Sequence, residues 1–121
     1  LDEISAALSP ALKENIHAVR ETKDPWVEYF ISMDPAEAIM NITCPVLALN
    51  GENDVQVIAE SNIPRLEKLL KDNGKNKFKT YPGLNHLFQH CETGMPDEYA
   101  KIEETMSAEV LEDIIDWIKN L

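Results

Sequence analysis

Two residues able to do acid–base chemistry stand just beyond two predicted strands. Asp54 follows an apolar run that begins at Cys44, and His86 follows a second strand pattern that ends at Pro82-Gly83. A carboxylate that accepts a hydrogen bond from one imidazole nitrogen fixes the tautomer of the ring and leaves the other nitrogen free as a general base. The sequence therefore predicts Asp54 and His86 as an acid–histidine pair, which would activate a nucleophile supplied by a third residue.

Each of the two residues, taken alone, also has an ordinary structural explanation. Asp54 is equally well explained as an aspartate that stabilises a turn after a strand. A lone histidine such as His86 is more often a buried, hydrogen-bonded structural residue. The Pro-Gly turn that leads into Leu84, Asn85 and His86 at a strand end favours the catalytic interpretation of His86. With His86 in register, the catalytic interpretation is favoured for Asp54 as well.

Other reactive side chains have weaker claims to a site. His90 and Cys91 follow His86 closely enough to suggest a metal cluster, but no further ligand is evident, so we predict no metal and no cofactor. Cys91 beside an imidazole is an alternative nucleophile, although no residue is predicted to orient its thiol. Cys44 is predicted to be a small core residue, and His17 to be solvated on a charged helix. The two cysteines make one disulfide bond at most.

The pattern around the acid–histidine pair predicts two strands joined by a helix. The apolar run 44–50 is typical of a strand buried on both faces, and 77–81, where lysines alternate with other residues, is typical of an edge strand. A helical pattern runs between them, from about Ala59 to Asn73-Gly74, with Pro64 delaying or kinking it. This order favours parallel strands with a right-handed connection. Because the carboxyl ends of parallel strands share one sheet edge, we expect the loops of Asp54 and His86 to meet.

Helices are predicted on both sides of this unit. Three pairs of a capping residue and a proline predict short helices in the first 40 residues: Ser9-Pro10, Asp24-Pro25 and Asp34-Pro35. Trp26, Tyr29 and Phe30 between them are predicted to be core beneath a lid or, alternatively, to line a substrate pocket. Residues 84–106 are predicted to be mostly loop and short helix. From Ser107, a favourable N-cap, apolar residues at helical spacing predict an amphipathic terminal helix that covers a sheet face.

Composition narrows the class of protein and its partners. A chain of 121 residues with 44% apolar and 27% charged residues predicts one soluble globular domain. The formal net charge of −11 argues against nucleic acid and anionic membranes as partners. No apolar stretch approaches the ~18 residues of a membrane span, and the first residues lack the basic start and apolar middle of a signal peptide.

Two segments of the sequence resemble a known family. The segment CPVLALNGEND, from Cys44 to Asp54, resembles the strand and acid loop of the α/β-hydrolases. The segment YPGLNHLF, from Tyr81, resembles their final strand and histidine loop, and the helix from Ser107 resembles their terminal helix. The resemblance is strongest to esterases and acyl-transfer hydrolases of the dienelactone-hydrolase and serine-aminopeptidase type. It implies a C-terminal βαβα portion of an α/β-hydrolase sheet at residues 36–121 and a helical cap or lid at residues 1–35.

The α/β-hydrolases carry their nucleophilic serine in a Gly-x-Ser-x-Gly elbow that precedes the acid and the histidine. None of the serines here has glycines at that spacing: Ser5, Ser9, Ser32, Ser61 and Ser107. The resemblance therefore implies a C-terminal fragment of a serine hydrolase for ester, thioester or small amide bonds. Its small-molecule acyl substrate would meet a nucleophile and oxyanion hole upstream of Leu1, and the fragment itself would be inactive.

Two further expectations follow from the resemblance. The alternative to a hydrolase is a non-catalytic binding or interaction domain that shares the topology without the chemistry. If early strands of the sheet lie outside this chain, the strand at residues 46–49 has an unpaired edge, and we expect the chain to self-associate as a homo-oligomer.

Overall fold

A computed structural model describes Ala18, Glu21 and residues 24–121 of the chain. The chain divides into two compact units, Leu1–Pro35 and Ala36–Leu121. The predicted helix after Ser9-Pro10, the solvated His17 and most of the predicted lid lie outside the described residues.

The described part of the first unit contains helix α1, Pro25–Ser32. Asp24 caps this helix, since its Oδ1 accepts a 2.8 Å hydrogen bond from the backbone N–H of Trp26, and proline occupies the first helical position. The ring of Trp26 stacks on Phe30 with 5.3 Å between centroids. Trp26, Tyr29 and Phe30 are each at least 60% exposed, so the prediction that they form a core is wrong.

From Pro35 onward the chain has two strands and three α-helices, with one 3-10 helix. These elements, in chain order, are α2 (Pro35–Met40), β1 (Leu47–Gly51), α3 (Ala59–Leu69), β2 (Lys77–Tyr81), the 3-10 helix Pro96–Lys101 and α4 (Ala108–Lys119). Strands β1 and β2 pair in parallel, in a register that runs from Leu47 opposite Lys77 to Gly51 opposite Tyr81. The predicted parallel pair with a helical crossover is confirmed. Among the described residues, no helix is long and apolar enough to cross a bilayer.

Strand β1 differs from its prediction in length and burial. It begins at Leu47, and its first three residues are half-buried. Cys44 lies before the strand and is exposed, so its predicted place in the core is wrong, and both cysteines are free thiols. The physical reason is that β2 is the one strand that pairs with β1 in the described part of the chain, which leaves the other edge of β1 without a neighbour.

The small core lies where β2, the residues after it and α4 meet. Tyr81, Leu84 and Val110 are its buried members, and the half-buried residues Leu49, Phe88, Met106 and Ile114 pack against them. The hydroxyl of Tyr81 donates a 2.7 Å hydrogen bond to Asp113 of α4. The ammonium group of Lys79 lies 2.5 Å from the same carboxylate and 2.8 Å from Glu109. These contacts hold α4 against the strand that leads to His86.

Candidate active site

The acid loop begins at Gly51, the last residue of β1. A side chain there is sterically excluded, because a Cβ on Gly51 would lie 2.2 Å from the carbonyl oxygen of Leu84 and 2.5 Å from that of Asn85. The chain then turns at Asp54, whose Oδ1 accepts hydrogen bonds from the backbone N–H groups of Gln56 (2.9 Å) and Val57 (2.8 Å). This local turn buries the carboxylate, leaving Asp54 only 7% exposed.

The side chain of a buried asparagine orders the histidine loop. Asn85 is fully buried, and its Oδ1 accepts hydrogen bonds from the backbone N–H groups of Leu87 (2.9 Å) and Gln89 (3.0 Å). Its Nδ2 donates a 3.0 Å bond to the side-chain oxygen of Gln89. Phe88 completes the loop with a φ of 58°, a left-handed conformation that a non-glycine residue adopts only when its surroundings enforce it. The ring of Phe88 packs edge-on against Tyr81, at 6.1 Å between centroids.

The structure brings the two residues singled out in the sequence together. Nδ1 of His86 lies 2.9 Å from Oδ2 of Asp54, across 32 positions of the chain. The same Oδ2 accepts a 3.1 Å hydrogen bond from Nδ2 of Asn50. With the two backbone donors on Oδ1, each carboxylate oxygen has two partners, which saturates the acceptor capacity of Asp54.

The hydrogen-bond donors around its carboxylate keep Asp54 ionised. Burial opposes the charge on Asp54, but hydrogen bonds from Val57, His86 and Gln56 outweigh it and hold the pKa of the carboxyl below its ordinary value. An ionised carboxylate only accepts hydrogen bonds, so the neutral imidazole of His86 must carry its proton on Nδ1. Nε2 then holds a free lone pair, and no described residue hydrogen-bonds to it. The side chain of His86 is 36% exposed, so Nε2 can take a proton from an arriving group.

An open groove adjoins His86. Its walls include the apolar side chains Leu87, Phe88, Ile102 and Met106. Glu103, Glu104 and Thr105 also line it, so its polar part is acidic. A ligand lying in this groove would place an apolar group against the wall next to the imidazole.

The other reactive side chains are engaged elsewhere. Nδ1 of His90 lies 2.9 Å from Glu104, and the backbone N–H of His90 is the main cause that lowers the pKa of Glu104. The thiol of Cys91 donates to the carbonyl oxygen of Gly83 at 3.4 Å and accepts from Asn53 at 3.6 Å. Neither contact is with an imidazole. Within residues 24–121, no three His, Cys, Asp or Glu side chains come together as a metal site.

The described serines do not complete a triad with His86. The hydroxyl of Ser61 donates to the carbonyl oxygen of Ile58, the residue just before α3, 3.2 Å away. Ser107 is buried at the start of α4, 2% exposed. None of the described serines hydrogen-bonds to His86. Sequence reasoning also missed Asn50 and Asn85, although a polar residue that closes an apolar strand run, as Asn50 does, is a usable signal.

Comparison with known proteins places the chain in a family. No curated protein and no solved structure gives a significant match to the chain. The model of the dienelactone hydrolase family matches residues 17–121, which include both strands, the helices of the second unit, Asp54 and His86. Family membership and the parallel strands with their crossover helix agree on an α/β-hydrolase architecture. The chain therefore belongs to the dienelactone hydrolase family.

Proposed function

We propose that this chain supplies the acid and the general base of a hydrolase that cleaves ester, thioester or small amide bonds. The observation that carries the proposal is the 2.9 Å contact between His86 Nδ1 and Asp54 Oδ2, made by a buried carboxylate with all four acceptor positions filled. Membership of a hydrolase family supports it. The proposed hydrolysis calls for no metal and no cofactor.

In the proposed mechanism, a serine hydroxyl attacks the carbonyl carbon of the substrate. As the oxygen–carbon bond forms, Nε2 of His86 takes the serine proton, and Asp54 stabilises the imidazolium that results. The imidazolium then protonates the leaving group as its bond to the carbonyl carbon breaks. Water, deprotonated by His86, releases the acyl group and restores the serine.

The serine and the oxyanion-hole donors of this mechanism lie on a segment outside these 121 residues, because the sequence contains no Gly-x-Ser-x-Gly elbow. The 121-residue chain by itself is therefore inactive in this proposal. The apolar wall of the groove, Leu87, Ile102 and Met106, favours a small substrate with an apolar group next to the scissile bond. The two carboxylates in the groove disfavour an anionic group at that position.

Capture of the native protein tests the proposal directly. An antibody raised against the chain is used on an extract of its source that has been treated with a fluorophosphonate, which labels activated serines. We expect a protein roughly twice this length or more, labelled on a serine in a Gly-x-Ser-x-Gly elbow. A native mass of 13.7 kDa without label would overturn the proposal and leave the non-catalytic binding domain as the explanation.

Variants of that longer protein test the two named roles. Asp54→Asn and His86→Ala are each expected to lower kcat for a nitrophenyl ester by about 10³- to 10⁴-fold. His90→Ala is the matched control, because His90 pairs with Glu104 and has no contact with Asp54. Equal rates for His86→Ala and His90→Ala would contradict the assignment.

A second copy of this chain is the partner we propose for its exposed apolar surface. Leu111, Ile115 and Ile118 lie at helical spacing on α4 and are each at least 48% exposed. Together with the unpaired edge of β1, they present an apolar surface of the kind that drives self-association.

A further inference from the structure

Asn50 is a buried amide at the end of β1, next to the acid loop. It is 6% exposed, and its Nδ2 lies within hydrogen-bond distance of three oxygens. These are Oδ2 of Asp54 at 3.1 Å, the carbonyl oxygen of Val57 at 3.0 Å and the carbonyl oxygen of Gly51 at 3.2 Å. One side chain thus joins the strand end, the carboxylate and the far side of the loop.

The chemistry of these neighbours fixes the orientation of the Asn50 amide. All three surrounding atoms accept hydrogen bonds and none donates, so the NH₂ group must face them. A flipped amide would set its own oxygen against a carboxylate and two carbonyls, and would lose every bond. Asn50 is therefore a donor to Asp54, because only its nitrogen can face these three acceptors.

The oxygen that Asn50 contacts is also the one that faces the imidazole. Oδ2 of Asp54 accepts from both Asn50 and His86, whereas Oδ1 accepts from the backbone of the loop. Rotation of the carboxylate about its Cβ–Cγ bond would break the bond to Asn50 before the two oxygens could exchange places. The direction in which Oδ2 points is consequently fixed by Asn50 as well as by His86.

We propose that Asn50 is a positioning residue, which holds Oδ2 of Asp54 in line with Nδ1 of His86 and thereby keeps the ring in the Nδ1–H tautomer. The inference rests on the proposed function, since that tautomer is what leaves Nε2 available as the base. Asn50 itself touches neither the substrate nor the reacting nitrogen. It acts only through Asp54.

NMR of the isotope-labelled 121-residue chain tests this role without any assay of hydrolysis. The ¹⁵N shifts of the His86 ring, measured above the pH at which it is protonated, report the tautomer, and the ¹³C shift of the Asp54 carboxyl reports its titration. Asn50→Ser removes the amide donor, and the serine hydroxyl, one bond closer to the backbone, falls short of Oδ2 of Asp54. We expect it to change the His86 ring from the Nδ1–H form to a mixture of tautomers and to raise the pKa of Asp54.

Asn76→Ser is the matched control for this experiment. Its side-chain amide also bonds to the backbone, accepting from the N–H of Val46 and donating to the carbonyl oxygen of Lys71, both at 3.0 Å. Asn76 lies at the end of the sheet opposite to Asn50. The control variant is expected to keep the tautomer and the Asp54 titration of the unmodified chain. A folded Asn50→Ser chain that matches the control in both readouts would overturn the proposal.

The unmodified chain provides a measurement that does not depend on the stability of a variant. The side-chain NH₂ protons of Asn50 should shift with a midpoint equal to that of the Asp54 carboxyl, because they donate to that group. NH₂ protons that do not follow the Asp54 titration would also overturn the proposal. These readouts concern only the His86 ring and the Asp54 carboxyl. A native protein without an active serine would therefore refute the proposed hydrolase function but leave the positioning role of Asn50 unaffected.

Discussion

Gly51 lies directly against the carbonyl of Leu84, so close that a Cβ on Gly51 would stand 2.2 Å from that oxygen. The backbone N–H of Asn53 donates a 2.9 Å hydrogen bond to the same carbonyl. The acid loop and the histidine loop therefore meet backbone to backbone. Their contact sets the distance between Asp54 and His86, because both side chains extend from the touching segments.

Gly51→Ala is expected to push the two loops apart, since backbone atoms leave the added methyl group no space. We expect the free energy of unfolding to fall by about 1–3 kcal/mol, measured by urea denaturation. The Nδ1–H signal of His86 should weaken in the same variant. Gly74→Ala is the control: Gly74 has a φ of +70° but nothing within 4 Å of its Cβ position, so it tests backbone strain without crowding. A variant Gly51→Ala that keeps both stability and signal would contradict this account.

Asp54 should make stability depend on pH in the acid range. Its folded pKa is lowered, from about 3.9 in an unfolded chain. The stability that ionised Asp54 contributes is therefore fully present above its pKa in the unfolded chain. It is lost as the pH falls through its pKa in the folded chain. We expect Asp54→Asn to be about 1–3 kcal/mol less stable than the unmodified chain near pH 7, with the difference shrinking below about pH 4.

Urea denaturation at a series of pH values from 3 to 7 measures this difference. The matched control is Asp116→Asn on α4, which removes a carboxylate from an exposed position. It is expected to change stability little, because no buried donors lose their acceptor there. A difference for Asp54→Asn that stays constant from pH 3 to pH 7 would show that ionisation of Asp54 is not its source.

Asn85 is expected to govern the order of the histidine loop. Asn85→Ala removes the acceptor of two backbone N–H groups, the part-buried one of Leu87 and the buried one of Gln89. We expect a loss of about 1–3 kcal/mol in the free energy of unfolding. Hydrogen exchange of those two amides should also accelerate more than exchange in β2.

The control for Asn85 is Asn120→Ala, which removes an exposed amide at the end of α4. It should alter stability by less than about 0.5 kcal/mol, as surface substitutions usually do. Unchanged protection of Leu87 and Gln89 in a folded Asn85→Ala chain would mean that the loop is ordered by other contacts.

Self-association should be visible by sedimentation at tens of micromolar, an order-of-magnitude range for such contacts. We expect a dimer that Ile115→Lys disrupts, because the substitution places a charge in the exposed apolar stripe of α4. Glu112→Lys also introduces a lysine on this helix, at an exposed polar position, and should leave the dimer intact. Added salt should favour the dimer, since it screens the repulsion between two chains of net charge −11. A monomer throughout this range would contradict the proposed partner.

The sequence alone was sufficient for the local elements and for the acid–histidine pair. Apolar runs, the Pro82-Gly83 turn and the helical spacing after Ser107 are short-range patterns, and each one specifies its own strand, turn or helix. Parallel pairing then follows from the crossover, which places the loops of Asp54 and His86 at one edge. Both the fold class and the meeting of these two residues were predictable for that reason.

Burial and the support of the site were decided by the tertiary structure. The sequence predicts Cys44 as a core residue, yet Cys44 is exposed. The reason is that burial depends on which neighbours cover a strand and not on the strand's own residues. Asn50 and Asn85 carry no motif, and they matter because folding brings their amides to buried acceptors and donors in the two loops. Spacing along a chain predicts which residues lie at the same edge of a sheet. Only the packed backbone determines which buried polar groups at that edge need a hydrogen-bond partner.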